Sequence, residues 1–359
     1  MNQLQRLRRL RAPIRAGLLL GAVGFAVVAV MPSEMPGASA ATVHYAYVVN
    51  SLSGSVSVIN TATNTVVKTV KVAAASRDSQ HGPLGVAVTP NGSYAYVTVG
   101  HGYSAGSVSV IEIATNTVVK TVKVGNLPLG IAVTPNGKYA YTANLLSGSV
   151  SVINTATNTV VKTVKVHSPR AIAVTPNGKY AYTANGDGAS VSVINTATNT
   201  VVKTLKVDSR YGGSASWIAI TPNGKYAYVP LLDTRYGDNG PDDLVNIIST
   251  ATNTVVKNIT VDPRPFGVAV TPNGTYAYIT HSSTQGDGSV SVIKVATNTV
   301  VKTVKLGPSS PFGVAVSPDG KYAYVANEGS RSVSVIKIAT NTVVKNVKVG
   351  NDPIGIAIT

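Results

Sequence analysis

Short runs of alternating apolar and polar residues fill most of the chain. Residues 149 to 166, SVSVINTATNTVVKTVKV, alternate, pass through an Asn/Thr cluster and then alternate again. Period-two alternation rich in Val, Ile and Thr is typical of β-strands, and a short Asn-rich cluster between two such runs is typical of a tight hairpin. The pattern predicts an all-β chain and excludes a helical one.

The hairpin belongs to a repeat that occurs seven times. The unit of residues 130–166 divides into the strands GIAV, KYAYTAN, SVSVI and TVVKTVKV, and TPNG between the first two supplies the Pro and Gly of a tight turn. Self-similar β-units with a period of about 40 to 50 residues are typical of propeller blades. We predict a seven-bladed β-propeller of four-stranded antiparallel blades. The marker ATNTVVK begins at Ala62, Ala114, Ala156, Ala197, Ala251, Ala296 and Ala339.

The two ends of the repeat region predict how the ring closes. The first unit starts at the strand containing Tyr45 and has no GVAVTPNG before it, whereas residues 355–359, GIAIT, begin a unit that does not continue. A propeller needs every blade edge near the channel to be paired. We therefore expect residues 353–359 to complete the first blade as its innermost strand.

The repeated strands resemble those of a known family. The segments YAYVVN, YAYTAN and YAYVAN, with TPNG before and SVSVI after, resemble the YVTN family of β-propeller repeats, found in archaeal surface-layer proteins and exported bacterial proteins of the YncE type. The resemblance covers residues 43–359. It implies the propeller fold but no single activity, because related propellers serve as binding scaffolds, adhesins and occasionally enzymes.

The first forty residues have the organisation of a secretory signal peptide. A basic segment is followed by the apolar residues 16–30 and by ASA at 38–40, which predicts cleavage before Ala41, with an uncleaved membrane anchor as the alternative. Residues 41–359 form the predicted propeller domain, without Cys and without another apolar run of membrane length. We expect a monomer with no membrane span after cleavage, exported to the periplasm, the cell surface or the medium.

Charge is divided between the repeat and the variable loops. The formal net charge is +16, and lysines recur on the last strand of each unit, as Lys68 and Lys71 do. Such lysines suit a polyanion such as nucleic acid, but they also prevent the pairing of exposed edge strands. Both interpretations stay open. By contrast, all Arg residues after position 41 lie in the loops after YAY strands or between units, on what we name the top face of the ring.

The top face carries the candidate binding residues. Arg and His side chains there could bind an anionic or carbonyl group, and aromatic side chains could stack on the ligand. The residue before the first Gly of each inner strand is apolar in most units, but it is Arg170 in the fourth and Ser216 in the fifth, where Trp217 replaces the Gly and could instead plug the channel. The predicted ligand-binding residues are His167, Arg170, Arg210, Tyr211, Trp217, Asp233, Arg235 and His281.

Metal and catalytic motifs are sparse. Asp238, Asp242 and Asp243 would suit Ca²⁺ by charge but lack the spacing of a calcium-binding loop, and no other cofactor is predicted. No G-x-S-x-G nucleophile motif occurs. The sequence thus predicts a binding or cell-surface interaction scaffold whose top face contacts an unknown macromolecule or small ligand. The alternatives are a hydrolase or lactonase-like enzyme with its site at the channel mouth, and a polyanion-binding protein; catalysis stays undecided.

Overall fold

The computed structural model describes residues 43–208, 213–232, 243–282 and 287–359, and the fold is that of the unit Val43–Thr359. The predicted signal segment, residues 1–40, lies outside the described residues. Within the described part of the chain, no helix has the length and apolar character needed to cross a membrane.

Within the described residues, twenty-nine strands form seven antiparallel sheets. Those of the first half are β1 (Tyr45–Asn50), β2 (Ser55–Asn60), β3 (Thr65–Lys71), β4 (Pro83–Val88), β5 (Tyr94–Val99), β6 (Ala105–Glu112), β7 (Thr117–Asn126), β8 (Pro128–Val133), β9 (Tyr139–Asn144), β10 (Ser149–Asn154), β11 (Thr159–Lys165), β12 (Pro169–Val174), β13 (Tyr180–Asn185), β14 (Ser190–Asn195) and β15 (Thr200–Lys206). Those of the second half are β16 (Ser214–Ala215), β17 (Ala219–Ile220), β18 (Tyr226–Leu232), β19 (Leu244–Ser249), β20 (Thr254–Thr260), β21 (Pro265–Val270), β22 (Tyr276–His281), β23 (Gly288–Lys294), β24 (Thr299–Gly307), β25 (Pro311–Val316), β26 (Tyr322–Asn327), β27 (Ser332–Lys337), β28 (Thr342–Lys348) and β29 (Pro353–Ile358). A single 3₁₀ turn, Ser79–His81, precedes β4.

Each sheet is one blade of a closed ring. Blade 1 has the order β29-β1-β2-β3, blades 2, 3 and 4 are β4 to β7, β8 to β11 and β12 to β15, and blades 5, 6 and 7 are β16 to β20, β21 to β24 and β25 to β28. The innermost strand of each blade contacts that of the next, and β25 of blade 7 contacts β29 of blade 1. The seven-bladed propeller predicted from the repeat is confirmed.

The C-terminal strand closes the ring as expected. Strand β29 pairs with β1 in antiparallel register, with Ala46 opposite Ile358. The Thr359 backbone N–H donates to the Tyr45 carbonyl at 3.0 Å, and the Tyr45 N–H donates to the Thr359 hydroxyl at 2.8 Å. The first and last segments of the propeller therefore share one blade.

A ring of tyrosine hydroxyls joins neighbouring blades and explains the repeated Asn/Thr turn. The second Tyr of each YAY strand is fully buried, and its hydroxyl donates to the side-chain oxygen of the Asn in the ATNT turn of the next blade. That Asn adopts a positive φ near +50° in every blade, which Asn tolerates better than most residues. Six of the seven bonds measure 2.5–2.8 Å, and the pairs are Tyr47–Asn116, Tyr96–Asn158, Tyr141–Asn199, Tyr182–Asn253, Tyr228–Asn298, Tyr278–Asn341 and Tyr324–Asn64.

Some of the repeated lysines also connect blades. On the exposed outermost strands, Lys203 donates to the Thr252 carbonyl at 3.4 Å and Lys257 donates to the Thr297 carbonyl at 3.0 Å. Lys345 likewise reaches a carbonyl of blade 1, at 3.2 Å. These contacts give part of the lysine repeat a structural role, and binding of a polyanion by the remainder stays a prediction.

Candidate binding site at the channel mouth

Side chains from all seven blades converge at the top end of the central channel. They come from the inner strands, or in blade 5 from between its two strand fragments, immediately before the position that is usually Gly, and together they line one cavity of about 160 Å³. Trp217, Glu328 and Asp352 complete its lining. The seven ring residues, in chain order, are Leu84, Leu129, Arg170, Ser216, Phe266, Phe312 and Ile354.

The walls of this channel-mouth cavity differ from side to side. Blades 5, 6 and 7 contribute Trp217, Phe266 and Phe312, whose rings form a continuous row: the two Phe rings have centroids 4.5 Å apart, and the Trp and Phe266 centroids are 6.2 Å apart. Of the seven residues that form the ring around the channel mouth, those from blades 1, 2 and 3 are aliphatic: Ile354, Leu84 and Leu129. One wall is therefore aromatic and the other is aliphatic.

Trp217 occupies its position because the inner strand of blade 5 is interrupted. In blade 7 a Cβ added to Gly313, the equivalent position, would lie 2.4 Å from the Ile354 carbonyl oxygen, and most equivalent glycines are similarly crowded. Blade 4 has Ala171 at this position of an uninterrupted strand, but the crowding leaves no room for a side chain as large as that of Trp. Blade 5 instead has two fragments, β16 and β17, and the half-buried indole of Trp217 lies between them against the cavity.

The Ser216 hydroxyl makes an inter-blade contact that a Thr hydroxyl makes in other blades. In blades 2 and 6, a Thr hydroxyl of the second strand donates to the ring-residue carbonyl of the next blade, as Thr280 does to Phe312 at 2.6 Å. The corresponding residue in blade 5 is Pro230, and the Ser216 hydroxyl lies 3.0 Å from the Phe266 carbonyl instead. The Ser216 hydroxyl is thus engaged with backbone carbonyl groups.

Arg170 places a positive charge on the blade 4 side of the cavity. Its side chain is half-buried, and its Nε is buried without a hydrogen-bond partner among the described residues. The pKa of the guanidinium is lowered by burial, an effect that Asp187 opposes, but a guanidinium stays charged at neutral pH. A Cβ on Gly186 would lie 2.5 Å from that Nε and 3.2 Å from the Ser214 hydroxyl, which is buried and has no hydrogen-bond partner in the described segments.

Two carboxyl groups lie on the opposite side of the cavity. Glu328 follows β26 of blade 7, and Asp352 precedes β29 of blade 1; Asp352 is only 6% exposed, and its Oδ2 has no donor within the described chain. Burial, reinforced by the hydrogen bond and charge of Asp352, raises the pKa of Glu328 to about 7, whereas Arg264 acts to lower it. The hydrogen bond between the two groups requires a proton, which the raised pKa of Glu328 places on that carboxyl.

The predicted site residues fall into three groups. Arg170 and Trp217 line the channel-mouth cavity, whereas His167 is exposed and does not line it. His281 lines a different pocket, together with Asp262, Ser289 and Lys305. The remaining predicted ligand-binding residues, Arg210, Tyr211, Asp233 and Arg235, lie outside the described residues, as do Asp238 and Asp242.

Asp243, the third predicted calcium ligand, is 5% exposed, and its Oδ1 accepts a 2.8 Å hydrogen bond from the Arg264 backbone N–H. This contact joins two top-face loops. No cluster of three or more potential metal ligands occurs in the described parts of the chain. Calcium binding by this loop stays a prediction.

His281 replaces an Asn that recurs in four other blades. In blade 7, for example, the Asn327 amide donates to the hydroxyls of Ser332 and Ser334. In blade 6 the His281 Nε2 is 2.9 Å from the Ser291 hydroxyl, and Ser289 donates instead to Asp262 at 3.0 Å.

The environment of His281 keeps its imidazole neutral. Burial lowers the pKa of His281 to about 4, although the nearby Asp262 carboxylate opposes this shift. The His281–Ser291 pair resembles part of a catalytic triad, but Ser291 is fully buried and no substrate can reach it. This pair is therefore structural.

Sequence reasoning missed Glu328 and Asp352 as site residues. Glu328 is the only Glu of the top-face loops, which was a usable signal. The partnership with Asp352 had no signal in the repeat, because it forms only where the last blade meets the first.

The fold and this cavity define a seven-bladed β-propeller with a polar and apolar pocket at its channel mouth. The family model described as Lactonase, 7-bladed beta-propeller matches residues 37–163 and 247–352, which is more than half of the chain. The chain belongs to this family. The more specific likeness to YVTN and YncE-type proteins stays a prediction.

Solved structures share the fold. Kuenenia stuttgartiensis Hydrazine Synthase is 24% identical with a TM-score of 0.69, and the match covers 77% of this chain and 90% of that one. A functionally unknown protein from Desulfotomaculum acetoxidans DSM 771 is 18% identical with a TM-score of 0.70, covering 88% and 98% of the two chains. At these identities the likeness concerns the fold alone. No match is found among curated proteins.

Proposed function

We propose that this propeller is a binding protein that holds a small, mainly apolar molecule in the channel-mouth cavity. The observation that carries the proposal is the convergence of side chains from all seven blades on one cavity with an aromatic wall, an aliphatic wall and a few polar groups. Concave, mostly apolar pockets with a few placed polar groups are the usual form of small-molecule sites. A cavity of this size suits a ligand of roughly six to ten non-hydrogen atoms.

Trp217 provides a direct test because it is the only Trp of the chain and lines the cavity. Titration of the purified protein with n-hexanol should change Trp217 fluorescence saturably, with a Kd of about millimolar or tighter. The variant Leu129→Phe should abolish the response, because Phe already occupies the equivalent ring position in blades 6 and 7 and would fill the cavity. Leu146→Phe, at an exposed top-face position, is the matched control.

Two results would reject this proposal. One is the absence of a saturable response in the parent protein. The other is an unchanged response in Leu129→Phe, which would place any bound alcohol outside the cavity. Native mass spectrometry of protein from the source organism provides a second readout, since a ligand retained in the cavity adds a discrete mass.

Hydrolysis of a small lactone is a second candidate, favoured by the family match and by the Glu328 carboxyl that lines the cavity, whose pKa burial raises to about 7. Ionised Glu328 would take a proton from water while the water oxygen bonds to the lactone carbonyl carbon; the ring C–O bond then breaks, and its oxygen regains the proton from Glu328. Glu328→Gln should abolish hydrolysis of δ-valerolactone, with Glu112→Gln on the opposite face as the control. An unchanged rate in Glu328→Gln would reject this role.

A further inference from the structure

The polar groups of the channel-mouth cavity have opposite charges on opposite sides. Arg170 is the second residue of β12, the inner strand of blade 4, whereas Glu328 and Asp352 flank the seam between blades 7 and 1. In a ring of seven, blade 4 lies directly across the channel from that seam. Apolar walls separate the two sides, so a ligand in the cavity would contact a cation at one end and carboxyl groups at the other.

The blade 4 side of the cavity is cationic. Arg170 lines it, whereas the Ser214 hydroxyl, buried beside Gly186, does not. A hydrogen-bond acceptor on a ligand can therefore meet the guanidinium of Arg170. A carboxylate suits this side best, because an Arg binds it with paired, charge-assisted hydrogen bonds.

The seam side lacks a donor. Asp352 Oδ2 is buried without a hydrogen-bond partner among the described residues, and the hydrogen bond between the Glu328 and Asp352 side chains requires a proton. The charged groups facing Glu328 are Asp352 and Arg264; Arg264 partly balances the acids and does not line the cavity. A ligand ammonium group offers three donors and could replace the shared proton. The aromatic row ending at Phe312 would also attract a cation.

We infer that the cavity accepts a molecule with an amine at one end and a carboxylate at the other, such as an ω-amino acid. This inference rests on the proposed function and specifies its ligand. A sphere of the cavity volume is about 7 Å across, which a chain of about six carbons spans. An α-amino acid carries both groups on one carbon and would leave one side of the cavity unpaired.

Four probes with the same six-carbon body test the inference: 6-aminohexanoate, hexanoate, hexylamine and n-hexanol. Trp217 fluorescence and calorimetry on the purified protein give their affinities. We expect 6-aminohexanoate to bind at least about 10-fold more tightly than each of the others, because each missing charged group leaves a buried partner unsatisfied. Leucine, with both groups on one carbon, should bind more weakly than 6-aminohexanoate.

Two variants assign the ends of the ligand. Arg170→Gln should weaken 6-aminohexanoate and hexanoate while leaving hexylamine unchanged. Glu328→Gln should weaken 6-aminohexanoate and hexylamine while leaving hexanoate unchanged. An unchanged affinity for n-hexanol in both variants shows that the cavity has kept its shape.

The outcomes separate this inference from the function on which it rests. If n-hexanol binds as tightly as 6-aminohexanoate, or if leucine binds more tightly, the inference is wrong and the binding proposal stands. If none of the probes binds at millimolar concentration, both are wrong.

Discussion

Replacing His281 with Asn should make the stability of the propeller less dependent on pH. Burial holds the pKa of His281 near 4 in the folded protein, against a value of about 6.5 in an unfolded chain. Between these values the unfolded state binds a proton that the folded state excludes, so the free energy of unfolding falls as the pH drops from 6.5 to 4. The shift corresponds to a loss of up to about 3 kcal/mol, essentially complete below pH 4.

The replacement restores the arrangement of the other blades. Asn at this position can donate to the hydroxyls of Ser289 and Ser291, as Asn327 does to the equivalent serines of blade 7. An Asn has no proton to gain over this range. We therefore expect the variant to retain about 1–3 kcal/mol more of its neutral-pH stability at pH 4.5 than the parent protein does.

Urea unfolding at pH 7 and at pH 4.5 measures this difference. His167→Asn is the control, because His167 is exposed and the same substitution there removes an imidazole from solvent. Carboxyl groups also contribute to the pH dependence of the free energy of unfolding, and comparing the two variants with the parent protein cancels that contribution. An identical pH dependence in the parent and in His281→Asn would refute the conclusion that His281 is buried and neutral.

Three further substitutions test the architecture. Tyr324→Phe removes the hydroxyl that donates to Asn64 across the seam and should reduce the free energy of unfolding, measured with urea, by about 1 kcal/mol. No change would show that the hydrogen bond from Tyr324 to Asn64 does not stabilise the closed ring. Deletion of residues 353–359 removes β29 and leaves the inner edge of blade 1 unpaired, so size-exclusion chromatography should show aggregation rather than a monomer. Gly313→Ala places a Cβ 2.4 Å from the Ile354 carbonyl oxygen and should lower the Tm, whereas an unchanged Tm would mean that the inner strands separate readily.

Most of the fold could be predicted from the sequence because the pattern of one blade occurs in it seven times. The YAY strand and the TPNG and ATNT turns define each blade, and the unmatched GIAIT segment at the end of the chain predicts closure. The reason why the Tyr of the YAY strand and the Asn of the ATNT turn recur in every blade could not be predicted. The bond from Tyr47 to Asn116 joins residues in different blades, and strand alternation alone does not show which turn a buried hydroxyl reaches.

The candidate site was only partly predictable. Arg170 and Trp217 were visible as departures from the repeat, and both line the cavity. The Glu328–Asp352 pair was not visible, because the two residues belong to different blades and approach one another only when the ring closes. The protonation of Glu328 depends on its burial and on the nearby charge of Asp352, and both arise only in the folded ring.

A crystal structure of the protein soaked with 6-aminohexanoate is the most direct test of ligand binding at the channel mouth. We predict ligand density inside the cavity, with the carboxylate at Arg170 and the amine at the Glu328–Asp352 pair, and no such density in crystals of Leu129→Phe. Ligand density only outside the cavity, or equal density in the Leu129→Phe crystals, would contradict the proposal.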